Sequence, residues 1–253
     1  MLVAALGCGG GKTFTTHTTD NDFMYQYSII DALLAGAFDG NLTIGALKQK
    51  GDFGIGTFNR VDGELLMDGG VVYRTRYDGR TEVVADTDST SAAFIKFFKT
   101  DTSFTMAGNN FNYEEVQKKL LAVMNPNCMY AIRIKGAFAT MNTRAEYPAA
   151  EPYTTLSEHM KTKQTLFNYT KTEGVAVGFW LPAYLARTNV PGYHFHFLST
   201  DKQSGGHIFN FTSHKITVEM DEIKGFTVEA NTHPDFKKVN LKADRAAELK
   251  KIE

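Results

Sequence analysis

The chain has 253 residues, of which 43% are hydrophobic and 22% are charged, and its formal net charge is −1. This balance is typical of a soluble globular protein with a sizeable core, in one large domain or two small ones. The near-neutral charge argues against nucleic acid or an anionic membrane surface as a partner, and no apolar run reaches the roughly 18 residues that a transmembrane helix needs.

Residues 1–24 are predicted to form a flexible lead-in, because glycine, threonine and aspartate follow a short apolar start. That start carries no basic residue, and Gly7-Cys8 fits either the junction of an export or lipoprotein signal or an artificial extension. The compartment is therefore left open between the cytoplasm and export. Two cysteines, Cys8 and Cys128, are too few for a disulfide framework.

Residues 25–150 are predicted to form an N-terminal α+β half, and the nineteen phenylalanines and eleven tyrosines of the chain favour strands. Helical spacing of apolar residues predicts helices over Ser28–Gly36, capped by Ser28 or a neighbour, and over Tyr113–Met124. The predicted strands are Asn41–Leu47, Gly51–Asn59, a strand that starts at Glu64 after an Asp-Gly turn, Val71–Arg76, Thr81–Ala85 and Met129–Met141.

Residues 151–234 are predicted to form a C-terminal, metal-binding half. It begins with a helix over Thr154–Phe167 and a glycine-marked strand over Gly174–Trp180, and it ends with a strand over Gly225–Ala230. The polar tail, residues 235–253, is expected to fold back toward the site and bring an acidic residue to it. The alternative is a solvated tail.

Three of the seven histidines lie close together in the second half. Side chains alternate along a strand, so His194 and His196 are predicted to point to the same face. The polar segment 201–206 ends in two glycines and is predicted to be a hairpin loop, which would bring His207 back beside His196. The pattern therefore predicts three imidazoles on one side of a two-stranded ribbon.

Three neutral imidazoles with coordination positions left open are what a catalytic divalent metal needs. Zinc commonly takes three protein ligands and keeps a fourth position for water or substrate. Imidazole also suits iron, copper and nickel, so the pattern alone does not choose the metal. Solvent-facing strand histidines are the alternative interpretation.

Two charged residues outside the hairpin are further candidates. Glu64 directly follows a glycine turn, where it is either functional or a solvated carboxylate at a strand end. Arg144 follows a predicted strand and could clamp a carboxylate with two hydrogen bonds, or form an ordinary surface ion pair. The pattern leaves both alternatives open for each residue.

The chain resembles the acetolactate decarboxylase family from about Tyr25 to the tail. The resemblance rests on the histidine hairpin together with Gly-Asp-Phe-Gly-Ile-Gly-Thr-Phe-Asn (51–59), Asp-Gly-Glu-Leu (62–65) and Thr-Arg-Ala-Glu-Tyr (143–147), in this order. It implies an α+β fold with two related mixed or antiparallel sheets and a few packing helices, with the metal site on a hairpin of the C-terminal half. It also implies a homodimer and a zinc-dependent conversion of 2-acetolactate to (R)-acetoin and carbon dioxide.

The resemblance also implies roles for individual residues. His194, His196 and His207 match the metal ligands of the family. A glutamate of the tail is expected at the metal site, with Glu253 as the best match and Glu248 as the fallback.

The remaining implied residues act on the substrate. Glu64 matches the catalytic carboxylate, Arg144 the arginine that orients the departing carboxylate, and Thr57 a threonine near the pocket. The resemblance implies that Zn²⁺ would stabilise the negative charge that develops on the substrate, so that no organic cofactor would be needed. Glu64 would then protonate one face of the enediolate, which requires a pKa raised by burial.

Two other functions remain as alternatives. A cupin-type oxygenase also uses His-x-His and a later histidine, but it usually places a glutamate shortly after the pair, and residues 198–201 supply none. A binding module of the PPC type has a similar hairpin, but it is about half as long and would not account for Glu64 and Arg144. Neutral charge argues further against DNA.

Overall fold

The computed structural model describes residues 21–252, which form two β-sheets with short helices packed around them. The strands are β1 (Phe23–Tyr27), β2 (Leu42–Thr43), β3 (Phe53–Phe58), β4 (Glu64–Asp68), β5 (Val71–Thr75), β6 (Thr81–Val83), β7 (Ser89–Lys96), β8 (Thr102–Asn112), β9 (Met129–Glu146), β10 (Gln164–Leu181), β11 (Gly192–Ser199), β12 (Gly205–Ile223) and β13 (Gly225–Glu229). The helices are α1 (Ile30–Leu34), α2 (Ile44–Leu47), α3 (Tyr113–Leu121), α4 (Leu156–Met160), α5 (Pro234–Lys238) and α6 (Ala246–Ile252).

The first sheet has the order β13-β1-β7-β3-β4-β5-β6, with β2 paired to β7. β1 and β13 are parallel, whereas the other pairs are antiparallel, so the sheet is mixed. This agrees with the predicted mixed or antiparallel sheets.

The second sheet has the order β11-β10-β9-β12-β8, and β11 also pairs with β12. Strands β9, β10, β11 and β12 therefore form a closed ring of paired strands. In this ring, β12 pairs with β9 on one side and with β11 on the other. β8 and β9 precede residue 150 and yet belong to this sheet. The chain therefore passes from the first sheet to the second between β7 and β8. The predicted division of domains at residue 150 stays a prediction.

The two sheets pack face to face across a shared apolar layer. Phe53, Leu66 and Phe94 of the first sheet and Val177 and Phe179 of the second belong to one buried cluster. Removing these large side chains from water stabilises the contact between the sheets. Functional groups from both sheets therefore meet in a space that water reaches poorly.

Three local predictions need correction. Of the two alternatives for the cap of α1, Ser28 itself is wrong: the N-cap is its neighbour Ile29, which makes no side-chain hydrogen bond, and the backbone N–H of Ser28 donates to the carbonyl oxygen of Glu229. The predicted strand Asn41–Leu47 is a two-residue strand followed by α2, because Thr43 caps Ala46. The predicted helix Thr154–Phe167 ends at Met160, and residues from Gln164 onward join β10.

Other predictions are confirmed. The helix predicted from Tyr113 is α3, and Asn112 and Glu115 form a capping box at its start. The strands predicted at Gly51–Asn59 and Met129–Met141 are β3 and β9. Cys128 is a free thiol, and Cys8 lies outside the described residues, as does most of the predicted lead-in. None of the described helices has the length and hydrophobicity to span a bilayer.

Candidate metal centre and active site

The histidine hairpin has the predicted register. His196 pairs directly with His207 across β11 and β12. The ring centroid of His194 lies 5.2 Å from that of His196 and 4.9 Å from that of His207. One ligand nitrogen from each ring lies within 4.8 Å of the other two. The three histidines therefore converge and could bind a metal ion.

Glycines allow the backbone to approach closely at two points of the site. Gly206 has φ +119°, and a Cβ there would lie 2.5 Å from the carbonyl oxygen of Arg144. Gly63 has φ +91°, and a Cβ there would lie 2.5 Å from the carbonyl oxygen of Thr75. Positive φ and lack of space both demand glycine, and these residues directly precede His207 and Glu64.

The protonation state of the histidines suits metal binding. Burial lowers the pKa of His196 to about 3, and burial lowers the pKa values of His194 and His207 well below the usual range for histidine. All three rings are therefore neutral at pH 7, and each has a nitrogen lone pair. Among residues 21–252, Nδ1 of His194 is buried without a hydrogen-bond partner, as expected of a nitrogen that has a metal as its partner.

Glu64 faces the histidines from the first sheet. Its Oε2 lies 3.2 Å from Nε2 of His196. Nδ1 of His196 lies 2.7 Å from the carbonyl oxygen of Leu65, and since a carbonyl only accepts, Nδ1 carries the proton. Nε2 thus presents a lone pair to a carboxyl oxygen. Two acceptors at this distance are compatible when a proton or a cation lies between them.

Thr57 lies beside Glu64 because β3 and β4 pair these two residues directly. The Thr57 hydroxyl donates to the carbonyl oxygen of Gly63 at 2.9 Å, so its oxygen can still accept. Both residues are buried, each with 7% of its surface exposed. The first sheet therefore supplies a carboxyl group and a hydroxyl to the same enclosed space.

Arg144 comes from β9, opposite His207 in the ladder. Its Nη2 donates to the carbonyl oxygen of Ile252, and its Nε lies 3.7 Å from Oε1 of Glu146. Glu146 also lines the cavity, and sequence reasoning missed it. The available signal was the spacing of two residues, which puts Glu146 on the same face of the strand as Arg144.

A cavity of about 70 Å³ lies between the two sheets. This volume would hold about five water molecules, so it fits a small organic molecule. The polar groups described above share its wall with apolar side chains from both sheets and from the helices. The apolar lining includes Ile30, Leu33, Phe94, Leu156, Met160 and Ile252.

The two acidic residues predicted from the tail have different outcomes. Glu253 lies outside the described residues, although its neighbour Ile252 lines the cavity. Glu248 accepts a hydrogen bond from Arg245 at 2.8 Å and is absent from the cavity lining. Glu248, the fallback, therefore does not line the cavity that holds the three histidines.

Fold and site together define a two-sheet α+β protein whose sheets enclose a three-histidine group able to hold a metal. The family model of alpha-acetolactate decarboxylase matches residues 24–243. The chain is 33% identical to the alpha-acetolactate decarboxylase of Methanosarcina mazei, covering 92% of this chain and 81% of that protein. It is 35% identical to that of Bacillus subtilis, covering 86% of this chain and 85% of that protein.

A solved structure agrees with the sequence relatives. The crystal structure of acetolactate decarboxylase from Bacillus subtilis subspecies spizizenii matches with a TM-score of 0.88 and 34% identity. The match covers 91% of this chain and 99% of that one. The chain belongs to the alpha-acetolactate decarboxylase family, and the resemblance noted in the sequence is confirmed.

Proposed function

We propose that this protein decarboxylates 2-acetolactate to (R)-acetoin and carbon dioxide with the help of zinc. The observation that carries the proposal is the meeting of three neutral histidines, a buried carboxyl group and an arginine in one small cavity. Membership of the family gives the substrate, since its relatives carry the name alpha-acetolactate decarboxylase. Arg144 in the cavity wall supplies a positive charge for the substrate carboxylate.

His194, His196 and His207 would hold the metal. Zinc is the proposed metal because the family resemblance implies it, and three nitrogen ligands with an open position for substrate oxygen suit it. Bound there, zinc supplies a Lewis acid that stabilises negative charge as it develops on the substrate. The hydrogen bond from His196 to the Leu65 carbonyl fixes the tautomer, so Nε2 is the ligating nitrogen.

Arg144 is proposed to bind the substrate carboxylate. A guanidinium has five donors, which leaves capacity for a carboxylate beside the Ile252 carbonyl. Glu146 holds the guanidinium from the side of Nε. The arginine would orient the bond to carbon dioxide and balance the charge of the carboxylate until that bond breaks.

Glu64 is proposed to deliver the proton. When the bond between C2 and the carboxylate breaks, its electron pair moves into the neighbouring ketone, and carbon dioxide leaves. A proton from Glu64 then adds to C2 and restores the ketone, which yields acetoin. Because Glu64 lies on one side of the cavity, the proton arrives at one face and a single enantiomer forms.

Metal content and activity test the proposal together. His196→Ala is expected to lose the zinc held by the three histidines together with acetoin formation, and chelation of the parent protein is expected to abolish activity until zinc is returned. A protein that binds metal but forms no acetoin would favour a cupin-type oxygenase. Absence of both would favour a binding module.

A homodimer is also proposed, and light scattering after size exclusion tests it.

A further inference from the structure

A second group of metal-ligating side chains lies where the C-terminal segment meets the body of the protein. Asp39, His233 and Asp235 each offer one ligand atom, and these atoms all lie within 4.8 Å of one another. Asp39 lies in the loop between α1 and β2, whereas the other two lie at the start of α5. All three side chains are partly buried.

Hydrogen bonds already orient this cluster. The Tyr153 hydroxyl donates to Oδ2 of Asp39 at 2.7 Å, and the Asn231 side chain donates to the Asp39 backbone carbonyl at 2.7 Å. The backbone N–H of His233 donates to the side-chain oxygen of Asn231 at 2.8 Å. Residues almost 200 positions apart are thus held in a fixed relation, which is the preorganisation that an ion site needs.

The segment that follows buries few side chains, and several separate contacts hold it: Arg187 donates to the carbonyl oxygens of Leu241 and Ala243, and the partly buried Leu249 packs against a hydrophobic cluster. No residue between 232 and 251 is buried, and only Asn231 and Ile252 at its two ends are. Apolar burial is the main favourable contribution to folding, so this segment depends on polar contacts. The anchor at Asp39 is therefore one of the polar contacts that position the segment, whose last described residue, Ile252, lines the cavity.

We propose that Asp39, His233 and Asp235 bind a second divalent transition-metal ion, of the zinc type, which fastens the C-terminal segment to the body. One imidazole and two carboxylates form a donor set that zinc accepts. Ligands at about 2.1 Å in tetrahedral geometry lie about 3.4 Å apart. Since the ligand atoms lie within 4.8 Å of one another, they must approach by up to about 1.4 Å, which partly exposed side chains achieve by small rotations.

Lys238 currently neutralises part of this cluster. Its Nζ lies 2.8 Å from Oδ1 of Asp235, and its side chain is 72% exposed. An exposed ion pair of this kind contributes little to stability, so a divalent ion can displace the ammonium group. The proposal accordingly predicts that removal of Lys238 strengthens metal binding. A simple ion-pair anchor predicts that the same removal weakens the attachment of the segment.

The test counts zinc in crossed variants of the whole protein after dialysis against low-micromolar free zinc. The parent is expected to hold two zinc ions per chain. His233→Asn, which retains a good helix N-cap, and His196→Ala are each expected to hold one, and the double variant none. One ion in the parent that is lost in His196→Ala, or an unchanged zinc count in His233→Asn, would overturn the proposal.

Zinc affinity of the second site adds a measurement independent of acetoin formation. In the His196→Ala background, calorimetry with zinc is expected to show at least about tenfold weaker binding for Asp235→Asn, since even outer partners of a metal contribute that much. Lys238→Met in the same background is expected to bind zinc more tightly. Weaker binding in Lys238→Met would contradict the displacement argument and overturn the site.

Discussion

Glu64→Gln tests the assignment of the proton donor. Glutamine has almost the same size and shape as glutamate, and the position is 7% exposed, so the packing of β4 against the second sheet should persist. The substitution removes the acidic proton and the carboxylate charge while it keeps the shape of the side chain. The three histidines are unchanged, and the variant is therefore expected to keep its metal.

The size of the effect follows from the enclosure of the site. A positioned acid contributes about 10²–10⁴-fold in rate, which corresponds to about 3–5 kcal/mol of activation free energy at 1.36 kcal/mol per factor of ten. Without Glu64, water or a much weaker acid such as the Thr57 hydroxyl would have to supply the proton in a cavity of about 70 Å³. The expected loss in kcat is therefore about 10³-fold.

The assay is single-turnover formation of acetoin, with the enantiomers separated on a chiral column and zinc measured on the same sample. The expected result is slow turnover, full metal content and a loss of enantiomeric purity, because solvent can protonate either face. Glu64→Asp is the control: it keeps the acid but withdraws it by one methylene, so it should retain more activity. A parent-like rate with one pure enantiomer in Glu64→Gln would refute the reasoning.

Three further predictions address other parts of the molecule. Arg144→Gln should raise KM more than about tenfold, since a charged hydrogen-bonded contact is worth about 1.5–3 kcal/mol; an unchanged KM in steady-state kinetics would contradict carboxylate binding. Lys96→Met leaves Asp221 without its buried partner and should lower the free energy of unfolding by about 3–5 kcal/mol in a denaturant titration; a loss below about 1 kcal/mol would contradict it. Glu253→Gln should weaken zinc binding in a chelator competition, whereas Glu248→Gln should not; the reverse order would place the other tail acid at the metal.

The convergence of the histidines was predictable because it depends on local rules. Alternation along a strand sets His194 and His196 on one face, and a six-residue polar loop ending in two glycines folds the chain back. The observed pairing of His196 with His207 follows directly from these two features. No long-range information is needed to bring three imidazoles together.

The other half of the site could not be derived in this way. Glu64 belongs to the first sheet and reaches His196 only because the two sheets pack face to face. No local pattern encodes this contact. A catalytic role for Glu64 was inferred from the resemblance of the whole chain to one family. Glu146 was missed because that resemblance assigned it no role, although its spacing from Arg144 placed it on the same face.

The local errors have a similar cause. Apolar spacing over Thr154–Phe167 suits a helix, but Gln164 pairs with Glu146 at the end of a long ladder between β9 and β10. The gain from this ladder outweighs helix propensity, which amounts to fractions of a kcal/mol per residue. At Thr43 the error has the opposite direction: a strand was predicted, but the Thr43 side chain accepts a hydrogen bond from the backbone N–H of Ala46 and starts a short helix.

The central claim is that the three histidines hold a metal on which the decarboxylation of 2-acetolactate depends. The most direct measurement is acetoin formation from racemic 2-acetolactate, before chelation, after chelation and after return of zinc, with metal content measured each time. The account predicts activity that disappears with the metal and returns with it. Acetoin formed at the same rate by the metal-free protein, or no acetoin from the zinc-loaded protein, would contradict the account.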